Sequence, residues 1–299
     1  MDNAEKIRKM EALVSLIDEP DLEIFRDISA NIHNFGPDII PFLEHAWQSH
    51  HLPDIQQRIE TLIHQIRFDD ICKELSRWIE QGGTNLLEGC TIVARYHYPE
   101  IRTHDLEYEL GKIRKDIWME LNENLTALEQ IRVFNYVFYE MHGFHGNITN
   151  YHAPLNSFLN KVLENKMGNP LSLGIVYMLV AQSLDMPVKG INLPEHFVLA
   201  WTGTSLNPDT LEVSPDNVLF YINAFSRGNI FAIKDIEVFL KQLKQEPRPE
   251  FFNPCSNLDI ILRMLNNLMI AYQKISDTPR FLEIQHLTTL FPGKKGKEK

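Results

Sequence analysis

Cysteine is scarce in this chain: three in 299 residues, Cys72, Cys90 and Cys255, far apart and without a CxxC pair. That spacing excludes a disulfide framework and a cysteine zinc site, and reads as reduced thiols. Positive charge is the second shortage. Lys and Arg number 29 against 40 Asp and Glu, a formal net charge of −11. That balance argues against a nucleic-acid surface as the main function, because neutralising phosphates requires clustered cations, and leaves room only for a local basic patch. Long apolar runs are missing as well; none approaches the ~18 residues of a membrane helix. The opening Met1-Asp2-Asn3-Ala4-Glu5-Lys6 carries no apolar signal core. The expectation is a cytoplasmic protein with neither a membrane nor a nucleic-acid partner. A hydrophobic content of 44% is ample for a packed core, and the length suits one large domain or a few small ones.

The first 80 residues read as short helices with sharp breaks. Ile7, Met10, Val14 and Ile17 recur at helical spacing before Asp18-Glu19-Pro20-Asp21. Ile24, Phe25, Ile28 and Ile32 form a second stripe. Ile39, Ile40, Leu43 and Trp47 form a third, and Ile55, Ile59, Leu62, Ile63 and Ile66 a fourth. Helix pairs with Asp- and Pro-bearing turns resemble HEAT-type repeats, whose period is roughly 40 residues; an ordinary helical subdomain reads equally well. The helical pattern continues through Ile71, Leu75, Trp78 and Ile79 to Gly82-Gly83, the best boundary by composition.

Helices are expected over about 86–94, 105–121 and 126–141, the last with Leu128, Ile131, Val137 and Phe138 as its apolar face. A Gly- and His-rich loop follows, His142-Gly143-Phe144-His145-Gly146-Asn147.

The stretch 167–201 organises the rest. In Gly168-Asn169-Pro170, Asn169 is a good N-cap and Pro170 suits the first helical position, which needs no N–H partner. Residues 171–184 are apolar almost all round, which implies burial on every side. After Pro187 the pattern turns to β-type runs at 188–193, 197–201 and 218–222, with Pro194-Glu195-His196 between the first two and Asn223 closing the third. Short helices are expected around Ile236, Phe239, Leu240 and Leu243, from Leu258 to Tyr272, and from Phe281. A solvated lysine-rich tail, expected to be disordered, covers 293–299.

Five blocks, in order over 86–272, resemble the SirB-type family of transglutaminase-like proteins. They are Phe144-His145-Gly146-Asn147; Tyr151 with Asn156-Ser157-Phe158-Leu159-Asn160-Lys161-Val162-Leu163; Gly168-Asn169-Pro170; Pro194-Glu195-His196-Phe197; and Leu265-Asn266-Asn267-Leu268 with Tyr272. The resemblance implies an α+β, helix-rich, papain-like core with a small antiparallel sheet at 83–250. HEAT-like helices would precede it at 1–82, and a tetratricopeptide-like helix pair would follow at 251–292.

In active transglutaminase-like enzymes a cysteine opens the central helix, where the helix N-terminus lowers its pKa. A histidine on the adjacent strand pairs with it and a carboxylate or amide orients the histidine. Counting back from Asp185-Met186-Pro187, the cysteine position falls on Pro170; His196 matches the histidine and Asn223 the acid. An amide can still hold an imidazole, but Pro170 offers no nucleophilic atom. Ser172 is a weak substitute, pointing to the other side of the helix. Cys90 lies in an apolar helical run, while Cys255 precedes a helix that could depress its pKa. Asn169, Pro170, Ser172, Glu195, Tyr151 and Asn156 are the candidates to line a groove. His142, His145 and His152 lack the spacing of a tetrahedral metal site, so no metal and no cofactor is expected. Two readings follow: a non-catalytic scaffold for a protein or peptide partner, or a hydrolase or acyltransferase with His196 as general base and Asn223 orienting it.

Overall fold

The computed structural model describes residues 2–203 and 217–293. The chain divides into two compact units, Met1–Arg77 and Trp78–Lys299.

The first unit is helical: α1 (Asn3–Val14), α2 (Leu22–His33), α3 (Ile40–Ser49) and most of α4 (Pro53–Glu80). Asp21 caps α2, accepting from the N–H groups of Glu23 (2.8 Å) and Ile24 (3.2 Å), so the Asp-Glu-Pro-Asp break is also a helix start. Met10, Ile17, Ile28, Ile32, Leu43, Ile59 and Ile66 form one core. The apolar stripes are wider than the faces that are covered: Ile7, Ile24 and Trp47 are exposed.

α4 runs unbroken to Glu80, because nothing between Ile66 and Gly82 punctuates the pattern. Gly82 and Gly83, at φ +80° and +62°, return their N–H groups to Ile79 and Trp78 and close the helix. The division between units falls earlier, at Trp78. That residue belongs to the second unit through its buried indole, which donates to the Asn85 carbonyl (2.8 Å).

The second unit is α+β. Its leading helices are α5 (Leu86–Arg95), α6 (Thr103–Glu120) and α7 (Ala127–Asn135); α7 passes into a π-helical turn, Tyr136–Met141. Leu128 is exposed, because α7 turns it outward; Ile131 and Phe134 form the buried face. Next come β1 (His145–Gly146), α8 (Leu159–Asn165) and β2 (Met167–Gly168), with β1 parallel to β2. The central helix α9 (Pro170–Gln182) leads into an antiparallel sheet in the order β3-β4-β5-β6: β3 (Val188–Leu193), β4 (His196–Thr202), β5 (Val218–Asn223) and β6 (Asn229–Phe231). Helices α10 (Ile233–Gln242), α11 (Asn257–Lys274) and α12 (Thr278–Thr289) complete the unit. Of the lysine-rich tail, 294–299 lie outside the described residues.

α9 is the hub. Nearly every residue from Pro170 to Ala181 is buried, as an all-round apolar helix requires. It packs on β3 and β4, where Phe197 sits against two residues without side chains: a Cβ at Gly174 would lie 2.7 Å from the ring, and one at Gly190 2.5 Å. Tyr177 reaches from α9 to Asn135 (2.9 Å), whose amide donates to the Gly228 carbonyl (2.9 Å). Tyr139 donates to the Ala224 carbonyl (2.8 Å). These bonds tie α7 and its π turn to the segment just after β5.

Candidate functional site

The site begins with how α9 starts. The Asn169 side chain accepts the Ser172 N–H (2.9 Å), and Ser172 Oγ accepts the Asn169 N–H (3.0 Å), a reciprocal cap. Pro170 holds the first helical position. Asn169 is fixed further by its amide, which donates to Ser157 Oγ (3.3 Å). Ser172 is fully buried with its hydroxyl spent on the cap, so it is part of the helix end.

His196 opens β4. It follows a two-residue turn in which Leu193 pairs with His196 across Pro194-Glu195. Glu195 takes φ +57°, a left-handed conformation that costs a non-glycine residue of order 1 kcal/mol. The register of β4 and β5 pairs Leu199 with Ile222; continued, it puts Asn223 opposite Val198 and diagonal to His196 on the same face. Burial pushes the His196 imidazole below its ordinary pKa. A hydrogen bond with the Asn223 side chain pulls it back up, and the Arg263 guanidinium adds a smaller downward push. Asn223 Oδ1 also accepts the N–H groups of Phe225 and Ser226 (3.1 Å each), so a backbone turn fixes its orientation.

Beside Pro170 lies a cavity of about 380 Å³. Of the groove candidates, Asn169, Pro170, Glu195 and Tyr151 line it, together with His152, Phe197, Arg263 and Asn267. Ser172, Asn156, His196 and Asn223 are not among its walls. Asn156 has a different task. It is buried, accepts from Asn147 Nδ2 (3.0 Å) and donates to the carbonyls of Asn150 (2.8 Å) and Tyr151 (2.9 Å), so it knots the loop that presents Tyr151.

The remaining candidates disperse. His142 pairs with Asp116 (2.9 Å), His145 Nδ1 bonds the Gly143 carbonyl (2.9 Å), and His152 is in the cavity wall, its pKa lowered by burial and then by Lys274. Among the described residues no three His, Cys, Asp or Glu side chains converge as a metal site. Cys90 is buried in α5 and its thiol is pushed up by burial. Cys255 is also pushed up, to about 12, chiefly by burial, with Asp259 adding to it. That is opposite to the depression its place before a helix suggested: Ser256 caps α11, and the thiol is enclosed where Cys255 N–H bonds the Gly190 carbonyl (2.9 Å).

Arg263 belongs to none of the sequence blocks that mark the site. It lies on α11, and its Nη1 donates to the Leu193 carbonyl (2.6 Å) and to Asn192 Oδ1. The available signal was periodicity. Arg263, Asn267, Ile270 and Ala271 stand at i, i+4, i+7 and i+8, one face of α11, and all four line the cavity.

Comparison with known proteins bears on the family of the fold. A family described as "Transglutaminase-like superfamily" matches residues 104–266. The chain is similar to F-box only protein 21 of Mus musculus, 29% identical over 235 residues covering 70% of this chain and 36% of that protein. It is also similar to a UPF0162 protein of Xylella fastidiosa (strain Temecula1 / ATCC 700964), 25% identical over 201 residues covering 62% of this chain and 64% of the relative. UPF0162 protein YchA of Escherichia coli (strain K12) is 26% identical over 187 residues, covering 61% and 65%. The matched part thus spans about a third of the first relative's length and just under two thirds of the other two. No solved structure matches. Among the described residues no helix is long and apolar enough to cross a membrane.

Proposed function

Because the chain belongs to the transglutaminase-like superfamily yet has proline where such enzymes carry their cysteine, we propose that it is a non-catalytic member of the SirB-type kind that binds a protein or peptide. The observation that carries this reading is Pro170 at the first position of α9, a residue with no nucleophilic atom. The neighbouring hydroxyl, Ser172, is held in the helix cap, and the thiols of Cys90 and Cys255 are shifted away from the thiolate. In this reading the His196–Asn223 pair is an inherited polar brace between β4 and β5. The cavity beside Pro170 is the binding groove, and the HEAT-like and tetratricopeptide-like helices add interaction surface. It works in the cytoplasm, without cofactor, metal or nucleic acid.

The test is direct. Purified protein is incubated with thioester, amide and glutamine-donor substrates, beside His196→Ala. No turnover is expected; turnover abolished by the substitution would overturn the reading.

One observation favours a second reading, a hydrolase or acyltransferase. His196 is kept unprotonated by burial and is hydrogen-bonded by Asn223, which offsets part of the loss of basicity, as a general base needs. It ranks second because a base–amide pair without a nucleophile lacks the bond-forming member of the triad.

A further inference from the structure

We infer that the cavity beside Pro170 binds a carboxylate on Arg263; this rests on reading that cavity as the binding groove. Arg263 is half-buried in the cavity wall, and burial disfavours its charged form. Among the described residues no carboxylate stands within ion-pair distance of it. Its two protein acceptors, Asn192 Oδ1 and the Leu193 carbonyl, are neutral, and both are served by Nη1. That leaves the Nε–Nη2 edge, which offers two parallel N–H groups in the geometry that grips a carboxylate bidentately. The bonds to β3 hold the guanidinium in place before any ligand arrives.

Three further donors in the cavity wall are uncommitted among the described residues. The Leu171 N–H, at the second position of α9, has no acceptor, because the cap serves Ser172 and Pro170 has no N–H. Among the described residues the Tyr151 hydroxyl and the Asn267 amide, both in the wall, likewise have no hydrogen-bond partner. An anion at Arg263 would gain from each, and from the positive end of α9.

Charge selects the kind of anion. Besides Arg263, the charged group in the wall is Glu195, an exposed carboxylate on the β3–β4 turn, and burial lowers the His152 pKa toward the neutral form. A single negative charge balances Arg263, whereas a phosphate dianion would carry one in excess toward Glu195. Phe197, Ile270 and Ala271 supply an apolar wall for whatever the carboxylate is attached to. A peptide C-terminus and a free small acid share this chemistry.

The probes are a tetrapeptide pool with free C-termini, the same pool amidated, sodium acetate, and inorganic phosphate. The readouts are the NMR signals of Arg263 Nε–H and Leu171 N–H in the full chain. The free-carboxylate pool should shift both, at least tenfold more tightly than the amidated pool. Acetate binding as tightly as the peptides would keep the carboxylate site and assign it to a small acid. Arg263→Lys, which keeps the charge but loses the fork, should weaken binding about tenfold. Since Arg263 also braces β3, Asn267→Asp serves as the second variant: a carboxylate built into the wall should compete and weaken binding at least as much. Equal binding of amidated peptides, a response to phosphate alone, no response to any carboxylate, or an unaffected Asn267→Asp would each overturn the inference. Turnover dependent on His196 would refute the non-catalytic reading without moving these signals, so the two failures are distinguishable.

Discussion

The contact between α9 and β4 supports a prediction in which one substitution changes sign with position. At Gly174 a new Cβ would come within 2.7 Å of Phe197 Cδ1 and 2.9 Å of Cε1. The ring has no free direction of retreat, since it is fully buried and already abuts Gly190. At Gly111, on the exposed side of α6, a Cβ meets nothing within 4 Å. Glycine to alanine gains about 1 kcal/mol of helix propensity at either site. Overpacking a filled core costs roughly 1–3 kcal/mol. Gly111→Ala should therefore stabilise by up to about 1 kcal/mol, whereas at Gly174 the packing cost offsets that gain and Gly174→Ala should destabilise by up to about 2 kcal/mol. For a domain of this size each kcal/mol moves Tm by about 2–4 °C, and the urea midpoint should move with an unchanged slope. Placing Gly174→Ala in a Phe197→Leu background supplies the control: with the ring gone, the added methyl should cost little, a coupling of about 1 kcal/mol or more. A Gly174→Ala protein stabilised as much as Gly111→Ala, or strict additivity with Phe197→Leu, would refute the packing argument.

Other perturbations address the polar pair and the thiols. Asn223→Ala removes the acceptor for two backbone N–H groups and should cost about 1 kcal/mol. It should also lower the His196 pKa further, because the lost bond was the upward influence; a rise in its NMR titration would contradict this. With the folded-state pKa of His196 below its ordinary value of about 6.5, the unfolded chain binds more protons as pH falls, so stability declines below that point. His97 and His152 shift in the same direction, so His196→Gln should flatten the decline in urea midpoint between about pH 7.5 and 5.5 without abolishing it; an unchanged slope would count against a buried neutral imidazole. Cys90 and Cys255 should alkylate slowly at mildly alkaline pH until the protein unfolds; fast labelling of either would reopen the question of a nucleophile.

What was legible in the sequence was local. The Asn169-Pro170 start of α9, the all-round apolar helix and the strand at 188–193 follow from capping chemistry and periodicity, which need no knowledge of partners. The π turn at Tyr136–Met141 is indistinguishable from plain helix in the sequence, because its shift to i+5 bonding, seen in the His142 N–H returning to the Val137 carbonyl, leaves no mark in an apolar pattern. β6 has three residues and β1 and β2 two each, too short for alternation to register. The site split along the same line. Glu195 and Tyr151 could be placed by the blocks they sit in. Asn156, by contrast, is occupied by three hydrogen bonds within its own loop and cannot face a ligand. Arg263 meets Leu193 from seventy positions away, a distance at which spacing carries no information.

The burial of α9 also bears on how the chain is made. Synthesis runs from the N-terminus, so the whole helix exists before β3 and β4, the strands it packs on, have been translated. During that interval the nascent chain carries a helix apolar on every side, the kind of surface that draws chaperones and other unfinished chains. A polypeptide cut between Gln182 and Thr202 would keep that liability for good. Truncations meant to isolate the N-terminal helices should therefore stop before Pro170, and those meant to retain the core should run past β6.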